Sequence, residues 1–187
     1  MHKITPFLMF NEGAGEAMEF YTSIFENSQI VGKMPGPGGT VMGGTIEIDG
    51  QRINVFNGGP HFSFSEGMSL FVNCETQEEI DDKYEKLSED GEQQPCGWVK
   101  DKFGVSWQIV PPILGELLGD KDREKADRVL QAMLKMHKII IQELKDAAED
   151  KGQAKASQPW FVLPARNSDA KLPHKQKLIA STKIETS

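Results

Sequence analysis

The first 111 residues ask for the same succession of elements twice, and this constrains the chain more than any other feature. In the first copy, residues 4–10 form a short apolar run of strand type. Asn11, Glu12 and Gly13 break it. Residues 14–25 then carry Ala17, Phe20, Tyr21 and Ile24 at helical spacing, which predicts a helix with one buried stripe. A short strand over 29–32 leads into a Pro/Gly loop at 34–39, too rich in breakers to be an element. Strands over 40–48 and 52–57 flank Asp49-Gly50, a strong hairpin signal, and Asn57-Gly58-Gly59-Pro60 closes the unit. The second copy has a strand at 68–73, Thr76 as helix cap, and a helix to about Glu89 with Ile80, Tyr84 and Leu87 on one face. A turn at 91–95, a short strand at 97–100, a turn at Asp101-Lys102-Phe103-Gly104 and a final strand at 105–110 complete it. An internal repeat of strand, helix and strands predicts two modules of one design.

After Pro111-Pro112 the character changes. Residues 113–118 read as a short helix. From about Asp122 a long helix is expected, with Ala126, Leu130, Met133, His137, Ile140, Leu144 and Ala147 as a continuous apolar seam. Its weak point lies near residues 137–139, because consecutive isoleucines are poor helix formers. The seam must pack on the core or on a partner chain. The expected organisation is a domain over 1–111, a helical extension over 112–150, and a mostly disordered basic tail over 151–187. Trp160-Phe161-Val162-Leu163 is the one apolar island of that tail.

Charge separates these regions. Residues 1–150 hold 14 basic and 26 acidic side chains, a net of −12, whereas residues 151–187 hold 7 and 2, a net of +5. An acidic body would be repelled by a phosphate backbone, so nucleic acid is not an expected partner. The tail's scattered charges read as a solvated segment. No apolar run approaches the roughly 18 residues of a membrane helix. The first ten residues look like a strand rather than a signal peptide. Cys74 and Cys96 are too few for a disulfide framework or a thiolate zinc site. The cytoplasm is the default location.

Strand side chains alternate between two faces. Leu8, Ile46, Ile53, Val55, Leu70, Val72, Trp107 and Ile109 fall on an apolar face that should meet the helices. Phe7, Met9, Thr45, Glu47, Arg52, Asn54, Phe56, Ser69, Phe71, Ser106 and Gln108 fall on the other. Such a mixed face suits a concave, partly wet cavity lined by a curled sheet, and a plain solvent face is the alternative. Phe7, Met9, Phe56 and Phe71 would be poor solvent residues.

At this point the chain resembles a known family. Pro6-Phe7-Leu8 followed by Glu19-Phe20-Tyr21 and Phe25 is similar to the opening strand and helix of PhnB-like proteins. Those proteins belong to the vicinal-oxygen-chelate superfamily of glyoxalases, bleomycin-resistance proteins and dioxygenases. Asp49-Gly50-Gln51-Arg52, Asn57-Gly58-Gly59-Pro60, Val72-Asn73-Cys74, Leu114-Gly115-Glu116-Leu117-Leu118 and Ala132-Met133-Leu134 look like the same family. The most specific stretch runs from Cys96-Gly97-Trp98 through Lys100-Asp101-Lys102-Phe103-Gly104 to Trp107-Gln108. The resemblance covers residues 1 to about 148. It implies an α+β fold of paired βαβββ modules curling around a cavity, with C-terminal helices, assembled as a homodimer. Proteins of this kind often carry a 3-demethylubiquinone methyltransferase label. No strand here runs into the glycine fingerprint and distal acid of a methyl-donor nucleotide site, and the Gly36–Gly44 run reads as a hairpin loop.

Catalytic members of the superfamily hold a divalent metal on His, Glu or Gln. The matching positions here are Thr5 or Pro6, the region of Asn54, the region of Ser69, and Gln108. They supply no imidazole and no anion, so no metal and no other cofactor are expected. His2, His61, His137 and His174 are too scattered to replace them. Two side chains remain as catalytic candidates. Glu47 could be a general base if buried, but pairing with Arg52 across the hairpin is the favoured alternative. Cys96 could be nucleophilic if a cation lowered its pKa, but an inert thiol is favoured. The expected pocket is Phe7, Met9, Asn54, Phe56, Ser69, Phe71, Trp98 and Gln108. The expected function is metal-independent binding of a small amphipathic molecule. A superfamily enzyme (lyase, isomerase or dioxygenase type) using an unusual metal set or Glu47, and a dimeric scaffold acting through its late helix, are the rivals.

Overall fold

The computed structural model describes residues 3–149. Within them the repeat is realised as two open four-stranded mixed sheets of the same order. Module 1 contains β1 (Phe7–Phe10), α1 (Ala14–Ile24), β2 (Ser28–Pro35), β3 (Val41–Ile48) and β4 (Gln51–Asn57), ordered β1-β4-β3-β2. Module 2 contains β5 (Ser69–Asn73), α2 (Gln77–Ser88), β6 (Glu92–Gln93), β7 (Trp98–Lys100) and β8 (Ser106–Val110), ordered β5-β8-β7-β6. β1 lies parallel to β4 and β5 parallel to β8; the other pairs are antiparallel.

Local chemistry explains most boundaries. Asp49 and Gly50 both take positive φ, 46° and 76°, as a tight β3–β4 hairpin requires. Thr76 caps α2 by accepting the Glu79 N–H, and the Asn57 side chain caps α1 by accepting the Ala14 N–H at 2.8 Å. β2 is longer than the expected 29–32. An irregularity at Val31 resets its register, and Met34 and Pro35 still pair with Gly43 and Val41. Proline is tolerated there because β2 is an outer strand. The expected turn at 91–95 contains the two-residue strand β6. Ile4 and Thr5 precede β1 rather than belonging to it.

The apolar faces are as alternation dictates. Leu8, Phe10, Ile46, Ile53, Val55, Trp107 and Ile109 are buried in one core with Met18 and Tyr21 of α1 and Ile80, Tyr84 and Leu87 of α2. Phe25 stacks on Trp107 at 5.6 Å and Phe20 meets Phe103 edge-on, so module 1's helix packs directly on module 2.

Beyond β8 come α3 (Pro112–Leu118), α4 (Arg123–Met133) and α5 (Ile141–Glu149). The continuous seam expected from residue 122 onward is therefore two helices. The chain breaks at Leu134–Ile140, and α5 packs back against α4. The break resets the helical phase. Ala126, Val129, Met136, Ile139, Leu144 and Ala148 are the buried residues, while His137 is exposed and Leu130, Ile140 and Ala147 are only partly buried. Val129, Met136, Ile139, Leu144 and Ala148 form a second core with Val110 and Leu114. The N–H groups of Cys96 and Gly97 donate to the Met136 and His137 carbonyls, and the Gln77 amide bridges Ile139 and Ile141. The extension is thereby tied to module 2. The tail expected over 151–187 lies outside the described residues.

Candidate ligand-binding faces

Register places the expected pocket residues in rows on two sheets. In module 1, Phe7 of β1, Asn54 of β4 and Thr45 of β3 form one row, and Met9, Phe56 and Gly43 form the next. A side chain at Gly43 would collide with β4 at Val55 and Phe56, so only glycine lets the Phe56 ring lie there. Thr45 Oγ1 donates to Asn54 Oδ1 at 2.8 Å, which occupies the amide oxygen and leaves its NH2 group as a donor.

Module 2 repeats the scheme. Phe71, Gln108 and Trp98 form one row, and Ser69, Ser106 and Lys100 the next. Gln108 Nε2 donates to Ser69 Oγ at 2.7 Å. Phe7 stands beside Asn54 as Phe71 stands beside Gln108, one pair in each module. The two aromatic rings are 53% and 55% exposed, unusually open for phenylalanine in a sheet. The eight expected pocket residues thus form two sets of four. No hydrogen bond joins one set to the other among the described residues. Ser106 and Lys100 share the face; parity with Gln108 puts Ser106 there from the sequence, but nothing in the sequence marks either residue as part of the pocket.

The two catalytic candidates have ordinary surroundings. Glu47 Oε2 accepts from Arg52 Nε at 2.9 Å, and Gln29 reaches its other oxygen. These hydrogen bonds, Arg52's first, hold the carboxyl below its usual range, away from the raised value a general base needs. Cys96 takes φ 63°, and burial pushes its thiol up, which favours the less reactive protonated form. The fully buried Cys74 is pushed up to about 12.

A divalent metal does not fit the superfamily's ligand positions here. Asn54, Ser69 and Gln108 offer neutral oxygens, and two of the three are already engaged with neighbours in the rows. Among the described residues no three His, Cys, Asp or Glu side chains come together in a metal-binding group.

One buried acid reads from the sequence only as a turn residue. Asp101 accepts from Tyr21 Oη and Trp107 Nε1, both at 2.8 Å, and from the Phe103 and Val105 N–H groups at 2.9 and 3.0 Å. It joins α1 of module 1 to the β7–β8 turn of module 2. Desolvation raises its pKa, and the four hydrogen bonds oppose that rise.

The 3-demethylubiquinone-9 3-methyltransferase family matches residues 2–110, both modules and no more. The chain belongs to that family. Among solved structures, a PhnB protein from Bacillus cereus bearing the same methyltransferase name is 41% identical. The match covers 59% of this chain and 99% of that one, with a TM-score of 0.55. A Staphylococcus aureus protein is 35% identical over 60% of this chain and 97% of its own, with a TM-score of 0.29. A glyoxalase/bleomycin resistance protein from Albidiferax ferrireducens is 13% identical over 57% of this chain and 96% of its own, with a TM-score of 0.40. No curated protein matches. The helical extension of this family member lies beyond the matched residues. No helix among the described residues is long and apolar enough to cross a membrane.

Proposed function

We propose that the two mixed faces are walls of a cavity, completed when two copies of the chain associate, that binds a small amphipathic molecule without a metal. The observation that carries this is the pair of half-exposed phenylalanines, Phe7 and Phe71. Each stands on the outer strand of its sheet beside an oriented neutral amide. Aromatic rings with a few fixed polar groups are the usual make-up of a small-molecule pocket. The polar groups are neutral donors and acceptors, which orient a ligand better than they break bonds. Two free thiols agree with a reducing, cytoplasmic location.

The scaffold reading draws less support than the cavity reading. The apolar side of α4 and α5 is buried within the chain, so it does not call for a partner. Methyl transfer is not carried over from the family's name. The Gly-rich run lies at the tip of the β2–β3 hairpin and inside β3, not between a strand and a helix N-terminus where a nucleotide would sit.

The test is association and metal content. Sedimentation equilibrium at micromolar concentration should give a dimer, and Phe7→Glu or Phe71→Glu should give a monomer. A monomeric parent protein overturns the reading. So does one tightly held transition metal per chain that is lost in Gln108→Ala.

A further inference from the structure

The polar row of module 2 contains an anomaly. Ser106 is 1% exposed, and its Oγ has no hydrogen-bond partner among the described residues. Buried hydroxyls are ordinarily satisfied, so an orphan marks a place where a partner is missing. Its register neighbours are Ser69 on one side and Lys100 on the other, so the side chains are within about 5 Å at Cβ. Ser69 accepts from Gln108 and keeps its own O–H to donate. The row thus presents two hydroxyl donors and one ammonium side by side, next to the row of Phe71, Gln108 and Trp98.

Lys100 is held by Glu66, from the segment before β5, at 3.4 Å; the Gln94 amide reaches the same oxygen at 3.5 Å. Both contacts are long, and both partners of the ion pair are at least a third exposed, so the pair is weak. Glu92 is the register partner of Lys100 on β6. With two carboxylates nearby, an incoming anion must replace Glu66 rather than join it.

We propose that this row is an oxyanion subsite. Lys100, Ser106 and Ser69 take a singly charged carboxylate or sulfonate group in place of the Glu66 carboxylate, while the ligand's flat apolar body lies against Phe71 and Trp98. The proposal rests on the reading of the mixed faces as cavity walls, and it names the ligand class: a planar apolar acid. A charge-assisted bond from Lys100 supplies the preference for the anion over a neutral molecule of the same shape.

Two fluorescent probes separate this proposal from the reading beneath it. The full-length protein is titrated with 8-anilinonaphthalene-1-sulfonate and with N-phenyl-1-naphthylamine, the same ring system without the sulfonate. The sulfonate is expected to bind roughly tenfold tighter, the value of one hydrogen bond to a charged group. Lys100→Met should abolish that preference, and a thermal unfolding midpoint like the parent's shows that the variant is folded, since the Lys100–Glu66 pair is long and exposed. Ser106→Ala should reduce the preference, Glu66→Gln should increase it, and Phe71→Ala should weaken both probes. Equal binding of the two probes, or a preference that survives Lys100→Met, overturns the subsite and leaves the cavity standing. Binding of neither probe overturns both.

Discussion

The two modules share one topology but are supported differently. Module 1 has long strands: β2 and β3 have eight residues each and pair along most of their length. Module 2 has a two-residue β6 and a three-residue β7, with little backbone pairing between them. What module 2 lacks in sheet it draws from elsewhere. Asp101 ties its β7–β8 turn to α1, and the 134–140 segment accepts N–H groups from Cys96 and Gly97. A repeated design can therefore be held by its own ladder in one copy and by borrowed contacts in the other.

The comparison can be broken most sharply at Trp107. It lies on module 2's apolar face and packs on Tyr21 and Phe25 of module 1. Trp107→Ala should cost ~3–5 kcal/mol, as for large buried aromatics. Urea unfolding should remain a single transition, because both modules share the core. Two separated transitions would show that the modules are independent.

Ile139→Ala tests the borrowed support. The residue is fully buried in the extension's core, and such truncations cost ~2–5 kcal/mol. Amide exchange should accelerate in α4, α5, β6 and β7 and stay slow in β2–β3. Uniform acceleration would deny that the extension serves module 2 preferentially.

Asp101→Asn should cost ~1–3 kcal/mol, because the new NH2 group must face donors that the carboxylate accepted. Its pH dependence has a definite sign. The carboxyl's pKa is raised in the fold, so its contribution to stability is largest at low pH and falls as pH rises through the folded value. The melting-temperature gap between parent and Asp101→Asn should therefore widen as pH falls from the folded carboxyl's raised value to the ordinary carboxylate range, and change no further below it. A gap that narrows over that interval would mean that the hydrogen bonds outweigh desolvation.

The smallest effect is expected at Glu47. Its pairing with Arg52 is at the protein surface, so Glu47→Gln should leave thermal unfolding and probe binding essentially unchanged. A large loss of binding would restore the carboxylate as a candidate in the site.

The sequence by itself determined what depends on local periodicity and turn chemistry. The twofold succession of elements, the Asp49-Gly50 hairpin, the Thr76 cap and the assignment of Leu8, Val55, Trp107 and Ile109 to the inner face follow from spacing alone, and the fold has them so. The expected pocket residues also share faces as alternation demands. A strand residue's side is set by parity, whichever strand lies next to it. Only the tertiary structure decided the partners across long separations. Asp101 reads as a turn residue until Tyr21, 80 positions earlier, donates to it. The seam from Ala126 reads as one helix with a weak point near 137–139; only the fold shows that the chain leaves the helix over 134–140, which shifts the phase and turns Ile139 inward and His137 outward. Ser106 reads as one polar residue among several until its hydroxyl is seen to be buried beside Lys100 with no partner among the described residues. Periodicity carries a residue's side but not its contacts, which depend on how separately formed elements pack to share one buried volume.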